Sequence, residues 1–200
     1  APLSSPTECL QDLDGDGYAD QTWNTCTTAQ VTDDASHSFV NSMSTLDRFG
    51  SIVVNAGDVD GDGLSDVLIG DREYQFGGGG GSGKIFLFLG ANILSSDDYD
   101  VSQADYTFVP EQTSSSIGNG NTKYHTIASA GDVDGDGLSD ILIGDPSYQY
   151  NGLQSGKVYL VLGASLQSNS VINLSNADYS FVALGNGNGS YEGVGLTVAG

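Results

Sequence analysis

Apolar residues in this chain gather in short runs, among them SIVVNA at Ser51 to Ala56, DVLIG at Asp66 to Gly70 and KIFLFL at Lys84 to Leu89, with Gly, Asn, Asp and Ser clustered between them. Such runs are too short for helices and dense in β-branched and aromatic residues, so they read as strands joined by turns. YTFV at Tyr106 to Val109 completes a set of four. A second set of four strands is predicted at Tyr124 to Ala130, Asp140 to Gly144, Lys157 to Leu162 and Tyr179 to Val182.

The second, third and fourth strands of the two sets recur with their flanking residues. SDVLIGD at Ser65 to Asp71 returns as SDILIGD at Ser139 to Asp145, and SGKIFLFLGA at Ser82 to Ala91 returns as SGKVYLVLGA at Ser155 to Ala164. DYTFV at Asp105 to Val109 returns as DYSFV at Asp178 to Val182, with an echo, HSFV, at His37 to Val40. An internal repeat of roughly 70 residues follows. Four-stranded units in series predict an all-β, propeller-like architecture of about two full blades with partial blades at both ends. Its expected segments are an N-terminal piece over 1–36, a first blade over 37–110, a second over 111–183 and the start of a third over 184–200.

Between the first and second strands of each unit stands an identical loop, GDVDGDGLSD, at Gly57 to Asp66 and Gly131 to Asp140, and a looser copy, QDLDGDGYAD, occupies Gln11 to Asp20. Alternating carboxylates with Gly at the sixth position set three Asp side chains on the inside of a tight turn, where they can share a cation. The expected ligands are Asp58, Asp60, Asp62, the Leu64 carbonyl and Asp66 in one loop, and Asp132, Asp134, Asp136, the Leu138 carbonyl and Asp140 in the next. Asp12, Asp14, Asp16, the Tyr18 carbonyl and Asp20 form the third set. Hard oxygen donors in this number favour Ca²⁺ over Mg²⁺, one ion per loop and about three in all. The twelfth position holds Ile69, Ile143 and Trp23 instead of the Glu of a helix-flanked EF-hand.

With these loops in place, DRFGSIVVNAGDVDGDGLSDVLIG at Asp47 to Gly70 resembles the FG-GAP repeat of integrin α-subunit propellers and many bacterial surface proteins. Phe49-Gly50 stands as the FG and Asn55-Ala56-Gly57 in place of the GAP, and the resemblance extends over about Phe39 to Gly200. The second unit has Tyr124-His125 at the FG position, and the third has Gly193-Val194-Gly195. The resemblance implies an extracellular or cell-surface, secreted, calcium-dependent adhesion or scaffold module.

Charge narrows the partners. Five basic residues against 26 acidic ones leave a formal charge of −21, with no basic patch to displace phosphate counterions, so nucleic acid is excluded. Three Ca²⁺ ions would leave about −15. No apolar run approaches the ~18 residues of a membrane span. The opening residues APLSSPTE lack the basic and apolar regions of a secretory leader, so a secreted form is expected to have lost one. Cys9 and Cys26 bracket the first acidic loop and are expected to form one disulfide in an oxidising compartment, the alternative being two buried thiols.

Other signals are weaker. GGGGSGK at Gly78 to Lys84 is followed by Ile85 and a strand where a phosphate-binding loop needs Ser or Thr and a helix. Asp34, Ser36 and Ser38 spell a DxSxS core, and Asn173-Leu174-Ser175 and Asn188-Gly189-Ser190 are glycosylation sequons. No nucleophile and base pair emerges, so an enzyme is not expected. The expected function is structural or adhesive. YEGVGLTVAG at Tyr191 to Gly200 matches the strand that opens a unit, and the N-terminal acidic loop is read as lacking one. That pairing predicts head-to-tail assembly of the chain with itself by strand addition; the rival arrangements are an excerpt of a larger propeller and a self-closed ring. A rival function is glycan or protein binding by Tyr148, Tyr150, Tyr74 and Phe76.

Overall fold

A computed structural model describes residues 9–11, 21–23, 38–42, 48–75, 81–93, 98–120, 125–167, 170–182 and 198. The chain divides into two compact units, Ala1–Ser38 and Phe39–Gly200, and both full repeats fall in the second.

In the first unit, β1 (Cys9–Gln11) pairs antiparallel with β2 (Gln21–Trp23), Leu10 facing Thr22. The N-terminal acidic loop therefore does have a strand before it, contrary to the sequence reading. Its brevity hid it: three residues give too few alternations to register as a run. The loop itself, with Asp12, Asp14, Asp16, Tyr18 and Asp20, lies outside the described residues, as does Cys26 of the expected disulfide.

The second unit carries two large sheets among the described residues. In the first, β4 (Phe49–Gly57), β5 (Asp66–Asp71), β6 (Lys84–Phe88) and β8 (Tyr106–Val109) form an antiparallel meander. The second has β9 (Ile127–Gly131), β10 (Asp140–Asp145), β13 (Lys157–Val161) and β15 (Tyr179–Val182) in the same order. The predicted strands match to within a few residues, and Tyr179–Val182 and Tyr106–Val109 match at both ends. Three strand pairs have no counterpart in the prediction. β11 (Gln149–Tyr150) and β12 (Leu153–Gln154) make a small hairpin; β3 (Ser38–Val40) pairs with β7 (Asp98–Asp100); and β14 (Val171–Asn173) joins the first sheet parallel to β8.

Period-two alternation sends side chains to two faces of the first sheet. Leu68, Ile85, Leu87 and Phe108 are fully buried with Ile127, Ile141, Ile143 and Tyr159 of the second sheet in one core. Ile69, Phe86 and Phe88 point the other way and pack with Phe39, Phe49 and Tyr99. β5 and β6 are covered on both faces, which is why they read as unbroken apolar runs.

The repeated SGK has a structural job. The N–H groups of Ser82 and Gly83 close on the Tyr74 carbonyl at 2.8 and 3.1 Å, and those of Ser155 and Gly156 close on Tyr148 at 2.9 and 3.1 Å. The following lysines, Lys84 and Lys157, sit over the rings of the same tyrosines at 4.7 Å. Gly83 is at φ +81, and a Cβ there would strike the Ile117 carbonyl oxygen, which is backbone and has little room to yield. Gly83→Ala is expected to destabilise the fold by roughly 2–4 kcal/mol, read as a lower urea midpoint.

Candidate metal centre

Each of the two described acidic loops leaves its first strand at a glycine with positive φ, Gly57 at +81 and Gly131 at +70, next to a shift in strand register. That bulge turns the chain out of the sheet, and Gly61 and Gly63 (φ +79 and +88) wind the loop back. Gly135 and Gly137 do the same at +81 and +94.

Asp58 organises the first loop. Its Oδ1 accepts from the N–H groups of Gly61 (2.7 Å) and Asp62 (3.1 Å), and its Oδ2 from Gly63 (2.9 Å). Asp60 accepts from Asp62 N at 3.2 Å, and Asp62 accepts from Leu64 N at 2.7 Å. The second loop repeats every bond, with Asp132 accepting from Gly135, Asp136 and Gly137 at 2.7, 3.1 and 3.0 Å. Asp134 and Asp136 accept from Asp136 N at 3.2 Å and Leu138 N at 2.8 Å.

This wrapping brings one carboxylate oxygen each from Asp58, Asp60 and Asp62 within 4.8 Å of one another, and likewise for Asp132, Asp134 and Asp136. Two ligands on opposite sides of a Ca²⁺ ion, each bound at about 2.3–2.6 Å, stand about 4.6–5.2 Å apart, so the spacing fits that cation. Among the described residues no Lys or Arg forms an ion pair with these six carboxylates.

Asp66 and Asp140 lie apart from these groups of three. Both are fully buried beneath their loops. Asp66 accepts from Val59 N at 2.7 Å and Gly90 N at 2.8 Å; Asp140 accepts from Val133 N at 2.8 Å and Gly163 N at 2.9 Å. Each ties its loop to the chain leaving the third strand. Burial pushes the Asp66 carboxyl up, partly offset by those two N–H groups, and the charges of Asp60 and Asp62 push it further. The two loops also touch: Ser139 N donates to the Asp58 carbonyl at 2.7 Å, and Asp58 N donates to Ser139 Oγ at 3.2 Å.

Sequence reasoning missed two further sets of acids. Asp71 and Asp145, fully buried at the ends of β5 and β10, accept backbone N–H groups from the segments that precede the first strand of each repeat, Arg48 at 2.9 Å and Ser116 at 2.9 Å. Asp105 and Asp178 accept from Leu89 N and Leu162 N, both at 2.8 Å. Both sets recur at fixed repeat positions, which was the available signal. Recurrence alone does not separate a metal ligand from a backbone acceptor.

Tyr148, expected on a ligand-binding loop, is instead buried: it carries Lys157 on its ring, and its hydroxyl lies 3.3 Å from Glu111. Tyr74 similarly lies under Lys84; Tyr150 is exposed, and Phe76 is outside the described residues. Glu111 takes Lys157 Nζ at 2.7 Å and the Tyr159 hydroxyl at 3.0 Å. Burial alone would raise its carboxyl, but Lys157, Tyr159 and Tyr148 together hold it below the ordinary value of 4.5. A lowered carboxyl contributes stability that is present above that value and lost as pH falls through the folded one. Glu111→Gln is expected to cost roughly 1–3 kcal/mol at pH 7. Urea midpoints measured from pH 7 to pH 3 should show the gap to the parent protein narrowing below 4.5.

The recurring wound loop between the first two strands of a meander decides the comparison. Residues 126–161 match the FG-GAP repeat. The matched segment runs from the start of β9 to the end of β13 and contains the whole second acidic loop. The FG-GAP strands and loop have counterparts in the first sheet, from Ile52 to Phe88. No curated protein matches the chain. No helix among the described residues is long and apolar enough to cross a membrane.

Proposed function

We propose that this chain is an extracellular structural or adhesive module of propeller-like FG-GAP blades whose acidic loops bind Ca²⁺, about one ion per loop. The observation that carries the reading is the duplicated group of three carboxylates, held by identical backbone bonds at the same place in both repeats. Four acids in a nine-residue loop repel one another; a bound cation reverses that, and its binding energy adds to folding. The Ser139–Asp58 bonds support a second feature, coupling of one loop to the next. Self-assembly belongs to the same reading, although not by supplying a first strand to the N-terminal loop, where Cys9–Gln11 already stands. Isothermal titration with CaCl₂ tests the proposal: a saturable heat that Asp60→Asn and Asp134→Asn each reduce supports it, and a flat titration of the folded protein rejects it.

A further inference from the structure

Each repeat carries a short arm between its third and fourth strands. The arms are β7 with the turn after it, DYDVSQA at Asp98 to Ala104, and β14 with its turn, VINLSNA at Val171 to Ala177. They are built alike. Asp100 and Asn173 cap a single 3-10 turn by accepting from Ser102 N (3.0 Å) and Ser175 N (2.9 Å), and Ala104 N and Ala177 N close it on Val101 O and Leu174 O (3.3 and 3.2 Å). Neither arm pairs within its own meander. β14 adds in parallel to β8, the last strand of the preceding repeat, and β7 pairs with β3, whose Ser-Phe-Val matches the last strand of the others. In the second repeat the arm is a clasp onto the outer edge of the repeat before it, and in the first it holds a strand with the sequence of such an edge.

β15 is the same outer edge in the second repeat, and among the described strands nothing pairs with its far side. Its exposure shows the difference. Phe108, in the core between the two sheets and beside Ile172 of the arm, is 0% exposed, whereas Phe181 at the same repeat position is 60% and Tyr179 is 56% exposed. Backbone geometry is equally prepared: Thr107 N donates to Ser170 O of the arm at 2.7 Å, and Ser180, paired with Tyr159 as Thr107 is with Phe86, holds the matching N–H.

We infer that β15 is a docking edge for the clasp arm of another FG-GAP repeat: an extended apolar–Asx–apolar–Ser segment that adds in parallel and covers Tyr179 and Phe181. Continuity with the occupied clasp names the occupant, because β8, the edge of this type with a partner among the described strands, holds a segment of this kind. The inference does not depend on metal, since no arm residue belongs to an acidic loop.

A synthetic peptide of Ser170 to Tyr179, SVINLSNADY, added at about 1 mM to the intact chain, tests it by amide exchange and ¹H–¹⁵N spectra. The expected result is roughly tenfold slower exchange at Ser180, with saturable shifts along Tyr179–Val182. In a parallel ladder the arm residue after the paired one donates back, so N-methylation at the position of Ile172 is expected to abolish the effect while leaving the side chains in place. Phe181→Asp, at an exposed position, should fold normally and fail to bind. Three results would overturn the inference: no change at β15, an equal change with the N-methylated peptide, or a Ser180 amide already as protected as Thr107 because a second copy of the chain covers it in a stable dimer.

Discussion

Chelating calcium is expected to lower the thermal midpoint of this protein by roughly 10–20 °C. A ligand that binds only the native state at a hundred times its Kd stabilises by about 2.7 kcal/mol, so the two described loops together contribute about 5 kcal/mol. A chain of this size shifts by about 2–4 °C per kcal/mol. Asp60→Asn is the informative substitution, because Asp60 accepts one backbone N–H whereas Asp58 accepts three and shapes the loop. In calcium the variant should melt below the parent by about half the chelation effect. In chelator the order should reverse or vanish, since one of the mutually repelling charges is gone. Calorimetry in the two buffers reads both signs, and a variant equally destabilised in each would mean that Asp60 serves the loop only as a structural residue.

Phe108→Ala and Phe181→Ala should differ widely although the two residues hold the same repeat position. Phe108 is fully buried, opposite Ile85 and beside Ile172 of β14, so truncation leaves a cavity and costs roughly 3–5 kcal/mol. Phe181 faces Val158 on an uncovered edge, and its loss should cost less than about 1 kcal/mol. Urea denaturation of the two variants measures the gap. Similar costs would show that β15 is covered in solution, contrary to its exposure here. The contrast arises because stability in a repeat array is a sum of intrinsic and neighbour terms, and Phe108 has a neighbouring sheet and the β14 arm against it while Phe181 has neither among the described residues.

The strands were readable because β5, β6, β10 and β13 combine apolar runs with glycine-bounded ends, and repetition doubled the signal. The acidic loops were readable because a wound turn that gathers carboxylates needs Asp and Gly at set positions. Asp66 and Asp140 were harder to place. They fit the ninth ligand position by spacing, yet both oxygens meet backbone N–H groups, one of them on Gly90 or Gly163 far along the chain. The clasp arms escaped notice for a related reason. Three-residue strands such as Val171–Asn173 carry no periodic pattern, and their partner lies in another repeat. Tyr148 and Glu111 likewise depend on contacts between sheets, which neither local composition nor turn chemistry encodes.

Equilibrium dialysis of the folded chain against radioactive calcium tests the central claim most directly. The account predicts about three ions per chain, with Asp60→Asn and Asp134→Asn each removing about one. A folded protein that holds no calcium at millimolar free ion would contradict it.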